Sequence, residues 1–194
     1  MKCVLRKVRK TGLTVATYPI SLEEKVVEFE KILFEGQSGK VKLMGIVGMG
    51  GMGKTTLAKE LFNMKSSNFG ESCFLSDVRE NVRKGYLNSL QTKLVKDLVH
   101  IEVRIDHIDQ GIEKRKTSLK TSPHALVVLD DIDHVDQLNV FRPLMDVLLS
   151  DSIILVTSSY KDVLISLGLV ELSIYRLTGL NEQHSQELFR SFAF

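Results

Sequence analysis

One stretch restricts what this chain can fold into more than any other: Gly48-Met49-Gly50-Gly51-Met52-Gly53-Lys54-Thr55, entered directly from the apolar run Val41 to Val47. It matches G-x-x-x-x-G-K-[ST] at every fixed position. Glycine takes positive φ without steric penalty, so a glycine-rich turn can aim successive main-chain N–H groups inward around an anion. A helix beginning after Gly53 adds the positive end of its dipole. Lys54 then supplies a charge to the β- and γ-phosphates, and the Thr55 hydroxyl a ligand for Mg2+. With glycine at roughly 7% of residues in average proteins, the four fixed positions coincide by accident in well under about one chain in a hundred of this length. The bland alternative, a glycine turn of no consequence, is further disfavoured by the apolar run before and the helical pattern after. The residues expected to hold the nucleotide are Gly48, Met49, Gly50, Gly51, Met52, Gly53, Lys54, Thr55 and Thr56.

A second motif, Leu126-Val127-Val128-Leu129-Asp130-Asp131, supplies what such a loop needs beside it. A buried strand ending in a carboxylate holds that group rigidly at the sheet edge, facing a magnesium shell. Asp130 is therefore assigned with Thr55 to Mg2+, through water, and Asp131 is the candidate general base that polarises an attacking water. Alone, an apolar run ending in acids reads as a solvated strand end; beside the loop it reads as a Walker B element. Thr157-Ser158-Ser159 closes another apolar run, Ile153 to Val156. These hydroxyls suit either sensing of a γ-phosphate or capping of the next helix.

The remaining periodicity builds a fold around these sites. Ser21 is placed to cap a helix reaching Phe34, with Leu22, Val26, Phe29 and Leu33 as its buried stripe. Leu57, Ala58, Leu61 and Phe62 form the inner face of the helix after the loop. Ser72 to Val78 reads as a strand. Leu87, Leu90, Leu94 and Leu98 carry a helical period, and Asp109 to Lys120 a basic helix or helical turn. Phe141 to Leu149 looks helical, Ser173 to Leu177 is a fifth strand, and Asn181 caps a last helix carrying Leu188, Phe189 and Phe192. Short apolar strands alternating with helices predict an α/β fold: a parallel sheet covered on both faces, with its ligand at the carboxyl ends of the strands.

Composition mainly excludes. The 194 residues carry a formal charge of +2, which gives no ground for a nucleic-acid partner. No apolar run has the length of a membrane span. Cys3 and Cys73 cannot form a disulfide framework, which fits a reducing compartment. Met1 to Lys10 is basic and free of acids, and two readings stand: a solvated linker or stump of a longer chain, and an organelle transit peptide. The five histidines are scattered without metal-ligand spacing, and Lys114-Arg115-Lys116 with Lys120 reads as a solvated helix face.

Together the motifs resemble the NB-ARC nucleotide-binding domain of plant disease-resistance receptors, within the STAND class of P-loop NTPase switches. GMGGMGKTT at Gly48 to Thr56 is similar to that family's phosphate loop, and LVVLDDID at Leu126 to Asp133 to its kinase-2 motif. Asp133 and the block FLSDVREN at Phe74 to Asn81 resemble the TIR branch. Tyr175 to Phe194 resembles the segment that opens the helical ARC1 subdomain. The resemblance covers about residues 18 to 194 and implies a five-stranded parallel sheet with helices on both faces. It also implies an ADP/ATP switch with Mg2+, at most slow ATP hydrolysis, and a cytoplasmic place in pathogen sensing.

It divides the chain into a basic segment (1–19), a nucleotide-binding domain (20–178) and the start of ARC1 (179–194). Two positions depart from the family. Ser159 stands where its third block has an arginine on the γ-phosphate, which weakens discrimination of ATP from ADP. Ser21 stands where the family usually has glycine near the adenine. The Gly-Leu-Pro and Met-His-Asp motifs, the TIR domain and the leucine-rich repeats do not occur in the sequence, so it resembles a fragment of a receptor. The alternatives are an active P-loop ATPase of another class and a degenerate interaction fragment that no longer cycles nucleotide.

Overall fold

The computed structural model describes residues 12–15, 20–34, 40–99, 124–145, 148 and 150–193. The basic start Met1 to Lys10, the stretch Asp109 to Lys120, and His100 and His107 lie outside them. Five strands form a single sheet: β1 (Lys42–Val47), β2 (Glu71–Leu75), β3 (Ala125–Ile132), β4 (Ile153–Ser158) and β5 (Ile174–Arg176). Their order is β2-β3-β4-β1-β5 and every pair is parallel, as the alternation of apolar runs and helices predicted.

Because side chains alternate across a strand, each strand feeds two cores. Cys73, Leu75, Val127, Leu129, Ile154 and Val156 point to one face, under α3 (Val78–Arg83), α4 (Leu87–Val99), α5 (Val135–Asn139) and α7 (Lys161–Ser166). Met44, Ile46, Phe74, Leu126, Val128 and Leu155 point to the other, under α1 (Leu22–Phe34) and α2 (Lys54–Lys65). Gly45 is the close approach on the first face, where a Cβ would lie 2.8 Å from Leu164 Cδ1 and 2.9 Å from Leu169 Cδ2. The predicted stripes of α1 and α2 are all buried, as are Leu90, Leu94 and Leu98 of α4. A short helix α6 (Arg142–Met145) occupies part of the predicted Phe141 to Leu149 helix.

Two local expectations change. The strand expected over Ser72 to Val78 stops at Leu75, because Asp77 takes a left-handed backbone (φ 51°) that turns the chain into α3 at Val78. Ser21 does not cap α1. Its φ is 55°, and its hydroxyl is buried without a hydrogen-bond partner. The position keeps the conformation that suits the glycine usual in the resembled family, and a serine there turns its side chain away from the helix amides. At the other end of the chain Asn181 behaves as expected: its Oδ1 accepts from His184 N at 2.7 Å at the start of α8 (Glu182–Ala193). Residues 12–15 have no regular structure but are tied to α2, where Asn63 exchanges two hydrogen bonds with the main chain of Leu13 (2.7 and 2.8 Å).

Candidate functional site

The carboxyl ends of β1, β3 and β4 bring together residues far apart in the chain. From β1 the chain turns through Gly48 to Gly53 and enters α2 at Lys54. Gly51 and Gly53 have φ of 79° and 92°, the left-handed region that a side chain would strain. Gly48 is needed for a different reason: a Cβ there would meet the Leu177 carbonyl oxygen at 3.0 Å. Gly50 is unlike both, since its φ is not positive and no protein atom lies within 4 Å of where its Cβ would stand. Nothing in the protein itself calls for glycine at that position, whereas a ligand lying against the turn would.

Lys54 is buried, and its ammonium turns back over the loop. It donates to the carbonyl oxygens of Gly48 (2.7 Å) and Met49 (2.9 Å) and to Ser159 Oγ (3.1 Å). All three acceptors are neutral, so the charge is held inside the turn without contact to an anion. Burial lowers the lysine's pKa, and the charges of Asp131 and Asp130 oppose that fall. At the α2 N-terminus the Gly53 cap contributes no side-chain hydrogen bond, which leaves the helix's positive end facing the same space. Met52 lies across the turn, its Sδ 3.2 Å from Met49 N, and Thr56 stands in the first turn of α2, half-buried.

Thr55 Oγ1 donates to both carboxylate oxygens of Asp130, at 3.0 and 3.1 Å. Asp130 is fully buried, and Thr157 Oγ1 donates to its Oδ1 at 2.7 Å. Burial raises its pKa above the ordinary carboxylate value, while the two threonine hydroxyls pull it back down. The hydroxyls of Thr157-Ser158-Ser159, which the sequence presents as one group, have three separate roles. Thr157 braces Asp130 and also accepts from Asp131 N at 2.9 Å. Ser158 Oγ accepts from Tyr160 N at 3.0 Å where α7 begins, and Ser159 reaches Lys54.

Asp131 interrupts the β3–β4 ladder, where the register slips between Leu129 and Ile132. Its φ of 63° swings the carboxylate away from Asp130 and onto Arg79, with Arg79 Nη2 at 3.0 Å from Asp131 Oδ2. Arg79, in the first turns of α3, is a charged member of the site that motif reading did not single out. The signal available was topological: β2 lies beside β3 with Leu75 opposite Leu129, so the segments leaving the two carboxyl ends converge on one edge. Among the described residues no group of histidine, cysteine or acidic side chains forms a preassembled metal cage. Of the histidines described, His124 contacts the Ser150 carbonyl and His134 caps α5.

A family model, the NB-ARC domain, matches residues 22–194. The chain belongs to the NB-ARC family. Its curated relatives are plant disease resistance proteins. TMV resistance protein N of Nicotiana glutinosa is 32% identical over 195 residues, covering 97% of this chain and 16% of the relative. Disease resistance protein RPV1 of Vitis rotundifolia is 29% identical over 194 residues, covering 98% of this chain and 14% of the relative. This NB-ARC chain thus spans less than a fifth of the length of these relatives. Among solved structures, Cdc6p from Pyrobaculum aerophilum aligns with a TM-score of 0.61 at 15% identity, over 94% of this chain and 52% of that one. The Drosophila origin recognition complex bound to DNA aligns with a TM-score of 0.54 at 18% identity, over 95% of this chain and 47% of that one. At these identities the alignments show a shared α/β fold.

Proposed function

We propose that this NB-ARC domain is an ADP/ATP switch acting with Mg2+ in a cytoplasmic plant immune receptor, with at most slow ATP hydrolysis. The observation that carries the reading is Lys54. A buried ammonium bonded only to neutral oxygens, at the mouth of a glycine turn and an uncapped helix, is poised to exchange those carbonyls for phosphate oxygens. Main-chain amides of Gly48 to Thr56 cradle the polyphosphate, and Lys54 spans its β- and γ-groups. Thr55 and Asp130 fit a hard divalent cation: oxygen donors, one of them anionic and held rigid by Thr157. Held there by Thr55 and Asp130, Mg2+ would supply positive charge to the phosphates.

Hydrolysis is slow in this reading because Ser159 brings no cation to the γ-phosphate. ADP is then preferred over ATP, or the two bind alike. The resemblance to NB-ARC proteins is what supports residues 20–178 as the nucleotide-binding domain, 179–194 as the start of ARC1 and 1–19 as an irregular basic segment or linker. TIR and leucine-rich-repeat domains of a longer receptor are the partners, with no nucleic acid among them. Among the described residues no helix is long and apolar enough to cross a membrane.

The test is to purify the chain gently, identify and count the nucleotide that travels with it, and repeat with Lys54→Ala. We expect close to one adenine nucleotide per chain. In the variant Kd should rise on the order of 100-fold or more, from the loss of charge-assisted phosphate contacts worth about 1.5–3 kcal/mol each. Unchanged affinity in Lys54→Ala refutes the reading. A wild-type chain that binds no nucleotide points instead to a degenerate interaction fragment.

A further inference from the structure

We propose that Arg79 is the residue that distinguishes a nucleoside triphosphate from a diphosphate in this site, by passing its guanidinium from Asp131 to the terminal phosphate. The inference rests on reading the site as one for an adenine nucleotide with Mg2+.

Three observations carry it. The first is place. β2 and β3 are neighbours with Leu75 opposite Leu129, so Arg79, at the start of α3, and Asp131, in the carboxyl-terminal end of β3, stand over the same edge of the sheet as the glycine turn. Arg79 is close enough for its charge to act on Lys54, whose ammonium lies inside that turn. The second is an unfilled donor. Arg79 Nη2 is bonded to Asp131 Oδ2 at 3.0 Å, yet its Nε is buried with no acceptor. A guanidinium fork with one prong used and a second buried without an acceptor is suited to a bidentate anion, and a phosphate is one. The third is what stands opposite. Ser159, at the end of β4, is uncharged and is engaged by Lys54, so that side of the site brings no cation toward a γ-phosphate.

The acceptor that Arg79 now uses is itself strained. Asp131 occupies a register slip with φ 63°, a left-handed conformation that carries a modest steric cost in any residue with a Cβ. With ADP bound, Arg79 stays on Asp131. With ATP bound, the more highly charged γ-phosphate competes with the carboxylate for the fork. The wild-type preference is therefore a balance between two acceptors, and removing either partner moves it in opposite directions.

The experiment is titration calorimetry of the whole chain with Mg2+ and either ADP or a non-hydrolysable ATP analogue. Arg79→Gln should weaken the analogue about tenfold or more and leave ADP within about twofold. Asp131→Asn, which releases the fork, should shift the preference toward the analogue, and the double variant should return to the value of Arg79→Gln. Should Arg79→Gln fold poorly by circular dichroism, Arg79→Lys keeps the charge but not the fork and is expected to lose part of the discrimination. Equal weakening of both nucleotides by Arg79→Gln, no weakening of the analogue, or a preference unmoved by Asp131→Asn overturns the proposal while leaving the site assignment intact. A wild-type chain that binds neither nucleotide overturns the site assignment, and this inference with it.

Discussion

Replacing Asp130 with asparagine should stabilise the empty protein and disable the loaded one. Asp130 is fully buried, accepts from Thr55 and Thr157, and has its pKa raised chiefly by burial. A raised carboxylate pKa means that the ionised form fits the folded state worse than the unfolded one. The penalty is absent at low pH and develops as pH climbs above the ordinary value of 3.8 through the folded pKa. Asparagine is close in shape and keeps hydrogen bonds to both hydroxyls, because the half-buried Thr55 can rotate to accept from the new amide. What it removes is the buried charge. Taking that relief as about 1 kcal/mol, the empty variant melts roughly 2–4 °C above wild type.

Magnesium reverses the comparison. At a hundred times Kd a ligand adds about 2.7 kcal/mol, so Mg·ADP should raise the wild-type Tm by roughly 5–11 °C. Without the anionic oxygen beside the cation most of that rise disappears. Scanning fluorimetry of both proteins, with and without Mg·ADP, reads both effects. Repeating the scans at successively lower pH tests the sign, since the gap between the empty proteins should narrow as Asp130 becomes protonated. A variant whose empty form melts below wild type, or whose response to Mg·ADP is undiminished, refutes the reasoning.

Two further substitutions separate what the fold needs from what the ligand needs. Gly50→Ala meets no protein atom and no positive φ, so Tm should stay within about 1 °C while Kd for ADP rises about tenfold or more; a lowered Tm with unchanged affinity would reverse that assignment. Ser21→Gly removes both a left-handed serine and a buried unpartnered hydroxyl, and should stabilise the chain by about 1–2 kcal/mol in urea unfolding. No gain in that variant would mean that the strain at Ser21 is relieved elsewhere.

Much of this molecule was legible in the sequence because local patterns carry it. The glycine turn is a contiguous signature, the stripes of α1, α2 and α4 are helical periods, and the five apolar runs are strands whose two faces both lie in a core. Ser21 shows where such reading stops: a serine before an apolar helix is a capping signal, and only the backbone angle reveals that it is not used as one. Asp77 ends β2 for the same kind of reason, one dihedral that composition does not announce.

The site divides in the same way. That Lys54, Thr55 and Asp130 belong together follows from motif chemistry alone, since each residue type has one plausible task beside a polyphosphate. That Ser159 meets Lys54, that Thr157 braces Asp130, and that Arg79 holds Asp131 follow from the strand order β2-β3-β4-β1-β5. These contacts join residues 105, 27 and 52 positions apart, from separate strand ends meeting over one edge of the sheet. Periodicity determines which residues enter a strand or a helix, because that depends on near neighbours. Which strand ends stand side by side depends on how the helices pack across the whole sheet, and no local window of sequence contains that information.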